Sequence, residues 1–351
     1  MDETPPLSKA PRPSPQTGET ETILRRSNVL HNIQRRHDTD EFAFTEEMAR
    51  EATGYFFLSF GKVGAGKTTL HFHLLRYLEQ HPDFDGEEYV DASLPDGQRA
   101  AQSQLINNWR NRWSEGTFPS ATRRLDEVRA LRYSLRPRIG AGHRINVTFL
   151  EVAGELLSEV ITEEYDQRQQ LPAALKALFD NPDVKLIIAF IVSPTALAQE
   201  SDGKPPDTLY TAFLNYLRGN HVSEPDRRRT PILVVINNPD AGFQTVEDAM
   251  IDRQGANEWT PKIIERFMEL FLPSFTQAYR RWPAQSKLIT LFRLGKIKTH
   301  VEDGQEISVI ANPPDYRHAA RIVKFAYETF TGIKVRPPLW RRILRSLKVS
   351  S

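Results

Sequence analysis

Gly61-Lys62-Val63-Gly64-Ala65-Gly66-Lys67-Thr68 places three glycines, a lysine and a threonine within eight residues, followed by Thr69. The pattern is G-x-x-x-x-G-K-[ST], and each position has a physical task. Gly61, Gly64 and Gly66 let the backbone curl until successive N–H groups, those of Val63 and Ala65 included, point at phosphate oxygens. A helix beginning near Gly66 adds its positive end and the amides of Lys67, Thr68 and Thr69. The Lys67 ammonium reaches the outer phosphates, and the Thr68 hydroxyl ligates magnesium. The chance alternative is an ordinary glycine turn. The flanking residues argue against it, because an apolar run precedes the loop and Leu70, Leu74 and Leu75 follow at helical spacing.

Such a loop needs a strand before it and a helix after it. From Tyr55 onward, short apolar runs at 55–60, 127–137, 145–150, 186–192, 232–236 and 288–292 read as strands. Residues 186–192 are continuously apolar and so predict a strand buried on both faces. Helical periodicity lies near 66–80, 97–113, 170–180, 206–218, 260–280 and 316–331. This alternation predicts an α/β fold of the P-loop NTPase kind. It would be a three-layer sandwich whose mostly parallel six-stranded sheet carries helical insertions. His71 and His73 stand two apart on the first helix and face different ways, which suits surface or packing positions better than metal ligation.

The rest of the chain sets bounds. At 351 residues, 39% hydrophobic and 26% charged, it reads as soluble and globular. A net charge of +1 offers no global field for nucleic acid. Cysteine is absent, which removes disulfides and thiolate metal sites and fits a reducing, cytoplasmic setting. No apolar run approaches the roughly 20 residues of a membrane span. Residues 1–22 are rich in proline, serine, threonine and charge, as a disordered tail would be. Residues 23–52 form a polar extension with partial helical spacing near Glu46 to Ala52, and the main domain covers 53–333. Residues 334–351 carry six basic residues and no acid, with Leu339, Trp340, Ile343, Leu344 and Leu347 at helical spacing. A helix there would be basic and amphipathic. It would suit either an anionic membrane surface, giving a peripheral membrane protein, or docking on protein.

Two later stretches bear on the class of nucleotide protein. Glu151-Val152-Ala153-Gly154-Glu155 closes the third of these strands, and Asn237-Asn238-Pro239-Asp240 closes the fifth. With the glycine loop, they make the chain resemble a Ras-like GTPase of the translation-factor-related (TRAFAC) class. That class has D-x-x-G and N-K-x-D motifs at these places. Here Glu151 stands for the Asp of the first, and Asn238 for the Lys of the second. The long insertions are similar to those of bacterial double-GTPase proteins of conflict systems.

The resemblance implies GTP and GDP as ligands, magnesium as cofactor, a switch read by an effector protein, and roles for named residues. Gly154 would donate its N–H to the γ-phosphate. Glu151 would hold magnesium through water, with one methylene more than Asp to accommodate. Asp240 would accept from the guanine N1–H and N2–H₂, Asn237 would brace the loop, and Asn238 would stand beside the base without the aliphatic stem of a lysine. Thr122, with Thr117 as the alternative, would sense the γ-phosphate and meet the metal. Arg123 or Arg124 could act as an arginine finger, or remain solvated. Glu155 would orient the attacking water or simply favour a helix start. Two other readings stand beside the slow switch. One is a P-loop ATPase or kinase. The other is a pseudo-GTPase scaffold that binds nucleotide without efficient turnover.

Overall fold

The computed structural model describes residues 44–62, 64–92, 94–118, 128–140, 142–152, 172–194, 197, 205–218, 230–237, 259–283, 287–293, 297–302, 305–310 and 315–335. All lie in the second of the two units into which the chain divides, Phe42–Ser351. The expectations for Val63, Thr122, Arg123, Arg124, Gly154, Glu155, Asn238 and Asp240 fall outside the described residues. So do those for the tail 1–22, most of the extension and residues 336–351.

The chain builds an α/β fold on one mostly parallel sheet. Its strands are β1 (Gly54–Phe60), β2 (Phe84–Glu88), β3 (Val128–Pro137), β4 (Ile145–Val152), β5 (Val184–Val192), β6 (Ile232–Asn237) and β7 (Lys287–Phe292). Their order is β2-β3-β4-β1-β5-β6-β7. Strands β4, β1, β5, β6 and β7 run parallel, and β3 and β2 add antiparallel pairs at one edge. The sheet therefore has seven strands where the apolar runs predict six. The additional one, β2, reads Phe-Asp-Gly-Glu-Glu and buries only Phe84 fully, so it carries no hydrophobic alternation to find. A separate hairpin, β8 (Ile297–Glu302) with β9 (Gln305–Ile310), lies outside the six apolar runs.

Helices cover both faces. One face carries α1 (Glu46–Glu51), α4 (Ala173–Asp180), α5 (Pro206–Tyr216), α6 (Pro261–Phe271) and α7 (Pro273–Arg281), packed on Phe56, Leu58 and Phe60 of β1. The other carries α2 (Lys67–Gln80), α3 (Asp96–Glu115) and α8 (Arg317–Thr331), packed on Phe57 of the same strand. The period-two alternation of β1 thus splits the core into two layers. Residues 186–192 of β5 are buried throughout, as their unbroken apolar run predicts.

Local chemistry sets the element ends. Helix α2 stops at His81, whose extended backbone is the one tolerated before Pro82. The helix expected over 260–280 is two helices. Pro273 offers no N–H and disfavours a helical Leu272, which sits at φ −135°, ψ 53°. The amides of Ser274 and Phe275 that open α7 are taken by the Asp207 carboxylate of α5, at 3.2 and 2.8 Å.

Candidate phosphate and metal site

The connection after β1 goes to the α2 face, while the helices after β5 and β6 lie on the other face. In open parallel sheets, such a reversal leaves a crevice at the carboxyl ends of the strands, where ligands bind. The glycine loop leaves β1 at this edge. Its sharpest points are Gly64 (φ 73°) and Gly66 (φ 88°), both in the left-handed region that favours glycine. The Ala65 amide donates to the Lys62 carbonyl at 3.1 Å and closes a turn.

Gly66 is also the N-cap of α2. No side chain caps that end, and no acidic residue sits in the first turn. The positive end of a 14-residue helix therefore faces the loop with no side-chain cap. The buried Lys67 ammonium curls back, donating to the carbonyls of Gly61 (2.8 Å) and Lys62 (3.2 Å). It is thereby held at the centre of the loop's concavity.

Strands β4, beside β1, and β6, one strand further on, complete the edge. From β4, the buried Glu151 carboxylate accepts the Thr68 hydroxyl. From β6, the Asn237 side-chain amide donates to the Ala65 carbonyl at 2.8 Å and ties the loop down. A Cβ at Gly66 would come within 2.0 Å of that same nitrogen, so glycine is needed there for space as well as for its φ. At Gly61 a Cβ would meet the Ile191 carbonyl oxygen at 2.8 Å. Below it, Tyr210 donates to the same Ile191 oxygen at 2.6 Å.

The expected site residues that are described thus converge: Gly61, Gly64, Ala65, Gly66, Lys67, Thr68, Glu151 and Asn237 form one edge. Thr69 follows in the first turn of α2.

Beneath the edge lie two groups of a different kind. Ser59 Oγ and His71 Nε2 are 2.7 Å apart and fully buried. His71 meets Phe57 and Phe149 edge-on, at 6.3 and 5.6 Å between ring centroids. Burial drives its pKa from 6.5 down to about 4, against the raising pull of Glu151 and with the push of Lys67. His73 is lowered to about 4 as well, first by burial, although its ring meets the Asp315 carbonyl at 3.2 Å. Both are neutral packing residues at pH 7. The packing alternative for this pair holds, and the surface one does not, because α2 is enclosed by the sheet, α3 and α8.

Beside Thr68 opens a cleft of about 610 Å³, bounded by Trp109 and Arg112 of α3, by Thr117 and by Arg129 of β3. Sequence reading missed Arg112 and Arg129. Arg129 lies in the second apolar run and Arg112 in the helical stretch 97–113, and neither position by itself marks a site. Thr117, the alternative phosphate sensor, does line this cleft. A larger cavity of about 690 Å³ lies at the opposite, amino edge of the sheet, among Glu46, Arg50, Lys176 and Asn181. None of the loop residues touches it.

The donor set decides what metal the edge can take. The Thr68 hydroxyl and the Glu151 carboxylate are hard oxygen donors already in contact, and they fit magnesium. Among the described residues no group of three or more His, Asp or Glu could cage an ion. Magnesium usually takes one or two protein oxygens and completes its shell with water and phosphate. No protein-family model matches the chain, and no curated protein matches it significantly.

Proposed function

We propose that the protein binds guanine nucleotide with magnesium and hydrolyses GTP slowly, as a nucleotide-controlled switch. One observation carries the nucleotide part. Lys67, Thr68 and Glu151 meet at the carboxyl edge of β1 and β4, below an uncapped helix start and inside a loop braced by Asn237.

The chain's own groups suggest the sequence of events. The loop amides and the start of α2 receive the phosphates. Lys67 exchanges the carbonyls of Gly61 and Lys62 for phosphate oxygens, a charge-assisted contact in place of a neutral one. Thr68, through its hydroxyl oxygen, and Glu151, through water, would hold the metal. Magnesium, when bound, would draw charge from the terminal phosphates. The guanine assignment and the switch rest on the resemblance at Gly154, Asn238 and Asp240.

Calorimetry with magnesium tests this. Wild type should bind GTP and GDP, and Lys67→Ala should weaken both by about tenfold to a hundredfold, the worth of one or two charged hydrogen bonds. ATP binding tighter than GTP would overturn the guanine assignment. A scaffold without turnover is the second reading, favoured by Glu151 and Asn238 at places where the resemblance has Asp and Lys. Single-turnover phosphate release at the buffer rate would select it.

A further inference from the structure

We infer that Arg129 is a ligand of the terminal phosphate, reaching it in cis through the cleft it shares with Thr68. The inference rests on the nucleotide reading above.

Placement comes first. In the antiparallel pair of β3 and β4, Arg129 stands opposite Glu151, and Glu151 stands beside Ser59 of β1. Residues opposite one another in a ladder point to the same face. Here that is the α2 face, where Ser59 meets His71 and Glu151 meets Thr68. Arg129 therefore belongs to the row that holds the metal-side groups. It also lines the 610 Å³ cleft together with Thr68. A phosphate seated on the loop with its metal on Thr68 would present its outer oxygens to this cleft.

Charge comes second. A nucleoside triphosphate brings more negative charge than one magnesium ion and one lysine neutralise. Glu151, buried at the same edge, adds to the excess. A further cation is needed on the terminal side, and a partly enclosed cleft strengthens what that cation does. Arginine suits the task because its planar fork matches two phosphate oxygens at once.

Two arginines of α3 hold other parts of the fold. Arg112 donates to the Phe118 carbonyl at 2.7 Å, holding the chain that leaves the helix. Arg110 forks onto Glu79 at 2.7 to 3.1 Å on the far side of α3. A diphosphate would not extend to the cleft. Arg129 should accordingly distinguish the two nucleotide states.

The test measures affinity rather than turnover. Full-length protein with Arg129, Arg129→Lys or Arg129→Ala is titrated with GDP and with the non-hydrolysable analogue guanylyl imidodiphosphate, both with magnesium. Arg129→Ala should weaken the analogue by about tenfold or more and leave GDP within about twofold, the loss of one forked charged contact. Arg129→Lys should fall between, because it keeps the charge and loses the fork. Equal losses for both ligands would overturn the inference and make Arg129 a structural partner of Glu151. Unchanged binding of both would overturn it as well. Should the alanine variant fail to fold, the lysine variant decides by the same comparison. Wild type that binds neither nucleotide would remove the nucleotide reading itself, and this inference with it. Wild-type binding that weakens in Lys67→Ala leaves the outcome to Arg129 alone.

Discussion

Gly64 and Gly66 share a left-handed backbone, yet their surroundings differ. Open space surrounds the place a Cβ would take at Gly64, whereas at Gly66 it would collide with Asn237 Nδ2. Gly64→Ala should therefore cost only the backbone penalty, about 1–2 kcal/mol. Gly66→Ala should cost that and also break the Asn237–Ala65 hydrogen bond, about 1 kcal/mol more. Denaturant unfolding of the two variants checks this, and equal losses would show that Asn237 yields freely. The loop's turns and the helix start behind it were legible because glycine spacing and the flanking apolar residues carry them. Asn237 was expected as a brace, and its bond to Ala65 gives that expectation a partner. Arg129 was not legible, because what matters is the residue opposite it in another strand. A linear reading does not hold strand register.

Among the elements, β2 joins the sheet through close contact with α2 rather than through apolar side chains. Gly86 sits directly under Leu78, and a Cβ there would stand 2.5 Å from the Leu78 Cβ and 3.1 Å from its backbone. Gly86→Ala should push strand and helix apart at a cost of about 1–3 kcal/mol, the usual scale of overpacking. A thermal melt within 1 °C of wild type, where that cost implies a shift of several degrees, would contradict it. The parallel strands were legible from their apolar runs, and β5 most of all. The edge strand was not, since its polar residues carry no period-two signal, and the β8–β9 hairpin, despite its alternation of Ile297, Thr299 and Val301 with polar residues, lies outside the six runs. Helix α3 was expected only as an insertion. In the fold it is fastened at both ends. Gln102 accepts from the Arg132 amide at 3.1 Å, and the Ile310 amide donates to the Gly116 carbonyl at 2.8 Å. Trp113 donates to the Phe72 carbonyl at 3.1 Å between them.

Over the whole molecule, α2 places two neutral histidines at the centre of the fold, and stability should depend on pH accordingly. The unfolded imidazole has its ordinary pKa of 6.5, while buried His71 and His73 sit near 4. Between those values the unfolded chain takes up protons that the native one refuses. Stability should fall as pH drops from about 6.5 towards 4, by up to about 3 kcal/mol per histidine. His318, lowered by burial, acts in the same direction. Unfolding curves of His71→Gln and His73→Gln across that window should be flatter than wild type, and parallel curves would refute the assignment. Carboxylates away from the two rings titrate alike in the three proteins and cancel in the comparison, while Asp315, which faces His73 and is held low by Arg317, is shared only by wild type and His71→Gln in its native setting. That α2 lies enclosed on all sides follows from α3 and α8 sharing its face, which the periodicity of α2 alone does not reveal. The same enclosure brings Trp109 against Phe72, 5.6 Å between ring centroids, and makes it part of the wall beside Thr68. Trp109 is one of five tryptophans and is mostly buried, yet it borders the cleft, so occupancy should change the emission of the unlabelled chain and Trp109→Phe should abolish that change.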